Sequence, residues 1–261
     1  MTGPSWRSFI IPVALALVPA SAGASAGPPP VALTATPARV VLTGSARTTV
    51  RVRNSGTKRV AVDASRAGFA LDLRGRPRIV WSGGARSAAG WLTLRPAHFT
   101  IGPRSSASLV VASKLPHGAE PGDHDALALL ATRPVASGRV GVRLRLGLVV
   151  VVRAPGRIVR RLELHALQAT RRGHATVLEL TVANLGNVTE SLRAVRAVLS
   201  KAKNGRVVAG VSAANRDLRP RTRGIVAFRY RRTPHGWVTV RVVIPADGGR
   251  TRLQRTYRIR L

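Results

Sequence analysis

Cysteine is absent from the 261 residues, which removes disulfides, thiolate nucleophiles and cysteine-ligated zinc or iron–sulfur centres. Acids are nearly as scarce, with 10 Asp and Glu against 43 Lys and Arg and a formal net charge of +33. Glycosidase-type chemistry would need two of those few acids brought together in a cleft. The one G-x-S-x-G match, Gly23-Ala24-Ser25-Ala26-Gly27, is a small-residue run in no strand-to-helix context, and His98, His117, His124, His165, His174 and His235 have no spacing that sets two on one strand face beside a carboxylate. The absences point to a non-enzyme: no catalytic residue, no cofactor and no metal site is expected. Aromatic residues make up only 4% of the chain, and helical periodicity is nearly missing.

Apolar residues reach 45%, so the high charge does not come with the poor hydrophobicity that keeps chains disordered. Of the 43 basic residues all but Lys58, Lys114, Lys201 and Lys203 are Arg. GC-rich codons explain that preference but not the shortage of acids. A field of this sign attracts polyanions: anionic wall polymer, peptidoglycan carboxylates, lipid headgroups or extracellular DNA. No sequence-specific nucleic-acid motif is present.

Residues 1–26 read as a secretory signal, with Arg7, an apolar segment from Phe9 to Val18, and the small-residue sites Ala20-Ser21-Ala22 and Ala24-Ser25-Ala26. After it the longest apolar run is Gly147 to Val152, far short of the roughly 20 residues a spanning helix needs. The expected location is outside the cytoplasm, in association with the cell envelope and without a transmembrane span in the mature chain.

Residues 27–30 form a proline-rich leader. Beyond them short alternating segments follow one another, separated by Gly, Pro, Asn and Ser. In Thr49-Val50-Arg51-Val52-Arg53 the valines share one strand face and the arginines the other. The rhythm predicts an all-β chain of two tandem immunoglobulin-like β-sandwiches, 31–153 and 158–261, joined by a linker at 154–157 around Pro155-Gly156. Arg139–Val152 reads as one long closing strand that passes from an edge into a buried centre. Asn54-Ser55-Gly56 is echoed by Asn184-Leu185-Gly186, each after a strand. Asn and Gly there suit the left-handed angles of a tight turn.

The phrases Pro37-Ala38-Arg39-Val40-Val41-Leu42, Phe99-Thr100-Ile101-Gly102-Pro103 and Leu115-Pro116-His117-Gly118 resemble the peptidoglycan-binding domain of WxL-interacting proteins and, more distantly, PapD-like modules. The second half is similar to the domain that follows in those proteins. Their usual closing transmembrane helix and basic tail have no counterpart before Leu261. The resemblance implies a surface protein that binds wall polymer or another cell-surface protein, or, on the PapD-like side, an extracytoplasmic chaperone or assembly factor that uses an edge strand.

Candidate binding residues are the paired arginines Arg51 with Arg53, Arg143 with Arg145, Arg229 with Arg231 and Arg232, and Arg258 with Arg260, which alternation places in solvent-facing stripes for a polyanion. Trp81 and Trp91 flank one loop and could stack on sugar rings; core packing is the alternative for each. Glu120, Asp123, His124 and Asp125 form the one local cluster of acids, read as a solvated turn. Asn187-Val188-Thr189 matches a glycosylation sequon, read as a turn.

Overall fold

The computed structural model describes residues 29–81, 84, 86–137, 140–173, 175–231 and 236–261. The expected signal segment and Arg232 lie outside them. Period-two alternation becomes strand pairing throughout. In Arg47–Asn54, Val50 and Val52 are fully buried and Arg51 and Arg53 exposed, because successive side chains of a strand point to opposite faces.

The first half is built from β1 (Leu33–Thr36), β2 (Arg39–Thr43), β3 (Arg47–Asn54), β4 (Val60–Leu71), β5 (Pro77–Val80), β6 (Leu92–Arg95), β7 (His98–Ile101), β8 (Ser106–Ser113), β9 (Gly122–Thr132), β10 (Val135–Ser137), β11 (Val140–Val142) and β12 (Arg145–Ala154). One sheet has the order β1-β3-β8-β6; the other runs β2-β12-β9-β4-β5, with β7 also on β4. Val50, Val52, Leu109 and Val111 from the first meet Val40, Leu42, Leu130, Val150 and Val152 from the second in one core.

The second half comprises β13 (Leu162–Arg172), β14 (Ala175–Asn184), β15 (Glu190–Leu192), β16 (Arg196–Lys201), β17 (Val207–Ser212), β18 (Arg216–Leu218), β19 (Thr222–Tyr230), β20 (Trp237–Ala246) and β21 (Thr251–Arg260). Sheets β13-β14-β19 and β17-β16-β20-β21, with the short β15-β18 ladder, enclose a separate core of Leu178, Leu180, Val182, Phe228, Leu199, Val240 and Val242. The chain is all-β, with two stacked sandwiches. Burying a leucine or phenylalanine of this kind stabilises by roughly 1.5–3 kcal/mol.

The Asn-x-Gly echo is a structural repeat, but not for the reason expected. Asn54 Nδ2 donates to the carbonyls of Lys58 (2.7 Å) and Gly102 (3.0 Å), and its Oδ1 accepts from Gly56 N (3.0 Å). Asn184 Nδ2 donates to Val188 (2.8 Å) and Leu218 (3.0 Å), and its Oδ1 accepts from Gly186 N (2.9 Å). Both asparagines are fully buried. Neither glycine has a positive φ. Each is instead required by a close approach, since a Cβ would lie 2.6 Å from the Pro30 carbonyl at Gly56 and 2.3 Å from that of Val159 at Gly186.

Two expected strands are broken. Arg139–Val152 divides at Arg143 and Leu144, between β11 and β12, and Leu192–Leu199 divides where Ala194 takes a φ of 52°. The passage from edge to centre does occur within β12. Val149–Arg153 lies between β9 and β2, whereas Arg145–Leu148 pairs with β9 alone among the described residues. Short β1, β7, β10 and β18 carry too few residues for alternation to announce them.

Candidate functional site: the cleft between the sandwiches

The outer face of the β2-β12-β9-β4-β5 sheet is apolar where it meets the second sandwich. Phe69 and Leu71 from β4, Pro77 and Ile79 from β5, Leu127 and Leu129 from β9, and Val149 and Val151 from β12 line a cleft of about 530 Å³. The register makes this one continuous floor: Leu127 lies opposite Ala67 and Val149, and Phe69 opposite Ile79. Every residue of β9 is buried, on both faces. Gly147 leaves a gap in the floor, and a Cβ there would meet only the Leu127 side chain, at 3.6 Å. The edge of Arg145–Leu148, unpaired among the described residues, opens on this cleft, with Arg145 at its lining.

Ion pairs and backbone bonds clasp the cleft at two points. At one, Gly122 has a φ of 110° and its backbone touches Asn187; a Cβ would lie 2.1 Å from the Asn187 carbonyl. Asp123 N donates to that carbonyl (2.8 Å), and Thr189 N donates to Asp123 Oδ2 (2.8 Å). Asn187 Nδ2 donates to the carbonyls of Pro121 (3.0 Å) and Arg157 (2.8 Å), while its Oδ1 accepts from Val159 N (2.7 Å). The sequon asparagine is thus a buried fastening between the two halves. At the other point the β4–β5 turn reaches across: Leu73 O accepts from Ile225 N (2.7 Å) and Arg216 Nη1 (3.1 Å), and Arg74 makes a bidentate pair with Glu179 (2.7 and 3.1 Å).

Between these points Arg219 donates through Nε to Asp125 (2.6 Å) and through Nη1 to the Phe69 carbonyl (2.7 Å), and lies 4.3 Å over the Phe69 ring. Arg39 pairs with Asp217. Glu120 pairs with Arg86 and lies 3.6 Å from Arg221. Five of the ten acids, Glu120, Asp123, Asp125, Glu179 and Asp217, therefore sit at this junction.

The electrostatics of the two buried aspartates differ in sign. Burial pushes the Asp123 carboxyl up, but bonds from Arg153 (2.7 and 3.1 Å) and from Thr189 outweigh it and hold the group below its ordinary value of 3.8. Burial pushes Asp125 above 3.8, and the attraction and hydrogen bond of Arg219 only partly oppose it.

The acid cluster read as a solvated turn is corrected here. Asp123, His124 and Asp125 belong to β9 and are at most 3% exposed; Glu120 alone stays half exposed. The His124 ring packs against Trp91 at a 45° tilt (4.3 Å between centroids), and its Nε2 meets the Glu120 carbonyl at 2.8 Å. No group of three or more metal-ligating side chains occurs among the described residues.

The paired arginines fall on four different sheets. Arg51 and Arg53 are on β3, Arg145 on β12, Arg229 on β19 next to Arg231, and Arg258 and Arg260 on β21; Arg143 lies between strands. Trp81 is exposed at the end of β5, whereas Trp91 is half-buried against the first core and His124. The cleft itself was not among the sequence candidates. Its signal was Ala126-Leu127-Ala128-Leu129-Leu130-Ala131, too apolar on both faces for a strand with one face in water.

No family model and no curated protein matches the chain. Solved structures do. A chain of the chaperone–tip adhesin complex described for CFA/I fimbriae biogenesis is similar over 86% of this chain and 98% of its own, at 12% identity and a TM-score of 0.50. The YadV chaperone (10% identity, 87% of this chain and 99% of that one, TM-score 0.49) and the class 5 fimbriae chaperone CfaA (12%, 88% and 100%, 0.49) are similar at slightly lower scores. At such identities the likeness is one of fold: two immunoglobulin-like sandwiches in tandem, as the PapD-like part of the sequence resemblance implied.

Proposed function

We propose that this chain is a non-enzymatic, extracytoplasmic chaperone or assembly factor that holds an extended segment of another surface protein against the edge of β12. The observation that carries this reading is the juxtaposition of an unpaired strand edge, Arg145–Leu148, with the apolar cleft. Strand addition gains affinity from main-chain hydrogen bonds and specificity from pockets that accept alternate side chains. The edge supplies the first and the gap at Gly147 the second. The similar chain at a TM-score of 0.50 comes from a chaperone–tip adhesin complex, which agrees with the proposal. No helix among the described residues is long and apolar enough to cross a membrane.

Retention on anionic wall polymer or peptidoglycan is the second reading, supported by the net charge of +33. It ranks below the first because the arginine pairs are dispersed while the cleft is a formed concavity.

The test is titration of the chain with synthetic twelve-residue peptides, one carrying apolar residues at alternate positions and one a scramble of it, followed by calorimetry. Saturable binding of the alternating peptide, and its loss in Gly147→Phe, is expected. Equal binding of both peptides, or binding that survives Gly147→Phe, removes the proposal.

A further inference from the structure

The end of the second sandwich farthest from the junction concentrates cations and exposed apolar groups. Strand β20 runs from Trp237 at that end to Ala246 beside the linker, where Asp247 meets Arg160 at 3.1 Å. Trp237 lies opposite Arg260, Thr239 opposite both Arg258 and Ser200, and Ser200 opposite Val207. The β16–β17 turn adds Lys201, Lys203 and Arg206, and so holds two of the chain's four lysines.

These groups have a fixed platform. Lys201 N donates to the Arg206 carbonyl (2.9 Å), Gly205 N to that of Lys201 (2.9 Å), and Ala202 N to that of Trp237 (3.1 Å). Gly205 takes a φ of 67°, which lets the turn close. Lys201, Lys203, Arg206, Arg258 and Arg260 are all exposed. None of the five has a carboxylate partner among the described residues. Trp237 is 53% and Val207 62% exposed, and Arg258 lies 5.2 Å over the tryptophan ring.

We infer that this tip is a docking surface for an anionic phospholipid bilayer. The charge is complementary to acidic headgroups, and basic side chains near such a surface are attracted individually. The apolar pair decides between a bilayer and a soluble polyanion. A linear polyanion gains nothing from an exposed valine. A bilayer interface accommodates the valine and takes an amphipathic indole at headgroup depth. The cleft opens at the other end of the second sandwich, so this inference does not depend on strand capture.

The experiment is co-sedimentation of the full chain with vesicles of phosphatidylcholine, alone or with phosphatidylglycerol as a quarter of the lipid, alongside binding to soluble inorganic polyphosphate. The apolar N-terminal segment is common to all variants and cancels in the ratios. At about 1 kcal/mol, or roughly fivefold, per basic residue, Lys201→Gln/Lys203→Gln/Arg206→Gln is expected to lower partitioning onto the anionic vesicles about 100-fold. The control Arg47→Gln/Arg51→Gln/Arg53→Gln, which removes equal charge from β3, is expected to lower it about threefold or less. Trp237→Ala/Val207→Ser is expected to weaken vesicle binding while leaving polyphosphate binding unchanged. Equal losses in the two charge variants would show diffuse attraction only and overturn the inference. So would full vesicle binding by Trp237→Ala/Val207→Ser, which would assign the tip to a soluble polyanion. Circular dichroism of each variant separates loss of binding from loss of fold.

Discussion

The junction and the distal tip use the same cationic side chains under opposite conditions. At the junction Arg39, Arg74, Arg153 and Arg219 each meet a carboxylate, and the two deepest acids, Asp123 and Asp125, are almost wholly out of water. At the tip the cations face solvent and have no carboxylate partner among the described residues. In a chain with so few carboxylates, placing half of them at one interface leaves only Asp63, Asp72, Glu163, Glu190 and Asp247 to offset the cations elsewhere. The difference teaches that a sequence charge count describes the tip and misdescribes the junction, where Asp123 and Asp125 are buried against Arg153 and Arg219.

The largest expected effect is at the junction. Asp123→Ala leaves Arg153 and the Thr189 N–H without their acceptor, and a loss of about 3–5 kcal/mol in denaturant unfolding is expected, the usual scale for breaking a buried pair. A loss below 1 kcal/mol would mean that the clasp contributes little. Gly122→Ala follows. Its φ of 110° and the 2.1 Å approach to Asn187 should cost about 1–3 kcal/mol in backbone strain alone, and small-angle scattering should report a changed angle between the sandwiches.

Asn184→Ala and Asn54→Ala remove matching buried amides. Each should cost about 1–3 kcal/mol through the carbonyls left unsatisfied, and similar values in the two would support equivalence of the two sandwiches. A large inequality would break it.

The pH dependence has two signs. Asp123, held below 3.8, contributes stability that is present above that value and is lost as pH falls through its lowered folded-state value. Asp125, pushed above 3.8, binds its proton more readily in the fold, so its contribution improves as pH falls through the raised value. Acid titration of stability should therefore flatten below the ordinary range in Asp123→Asn, whereas Asp125→Asn should remove an opposing slope just above it. The smallest effect is expected at the tip: Lys201→Gln/Lys203→Gln should change stability by no more than about 0.5 kcal/mol, and a larger loss would show that these lysines have a structural task.

Much of the fold was legible because one-faced strands advertise themselves. Thr49–Arg53 alternates strictly and β3 follows it closely; Arg39–Thr43 coincides with β2, although Val41 interrupts its alternation and is exposed. The echo at Asn54 and Asn184 was visible, yet its cause was not. Only the folded chain shows that each glycine makes room for a carbonyl of the segment leading into its sandwich. The candidate site was less legible. Leu127 and Leu129 signalled a second apolar face, but Phe69, Pro77 and Ile79, which complete it, are remote in sequence, and nothing local shows that they meet it. Asp123 and Asp125 looked like turn residues because their partners, Arg153, Thr189 and Arg219, lie 30 to 94 positions away.

The order of residues by itself determined that this chain is all-β, that it folds twice in tandem, and that it is basic almost everywhere, since alternation, turn residues and charge are local properties. Tertiary structure alone decided where the few acids go and what they surround. Pairing strands far apart in the chain buries Asp123 and Asp125 between the sandwiches, leaves the edge of β12 open beside an apolar floor, and sets Trp237 among unpaired cations at the opposite end.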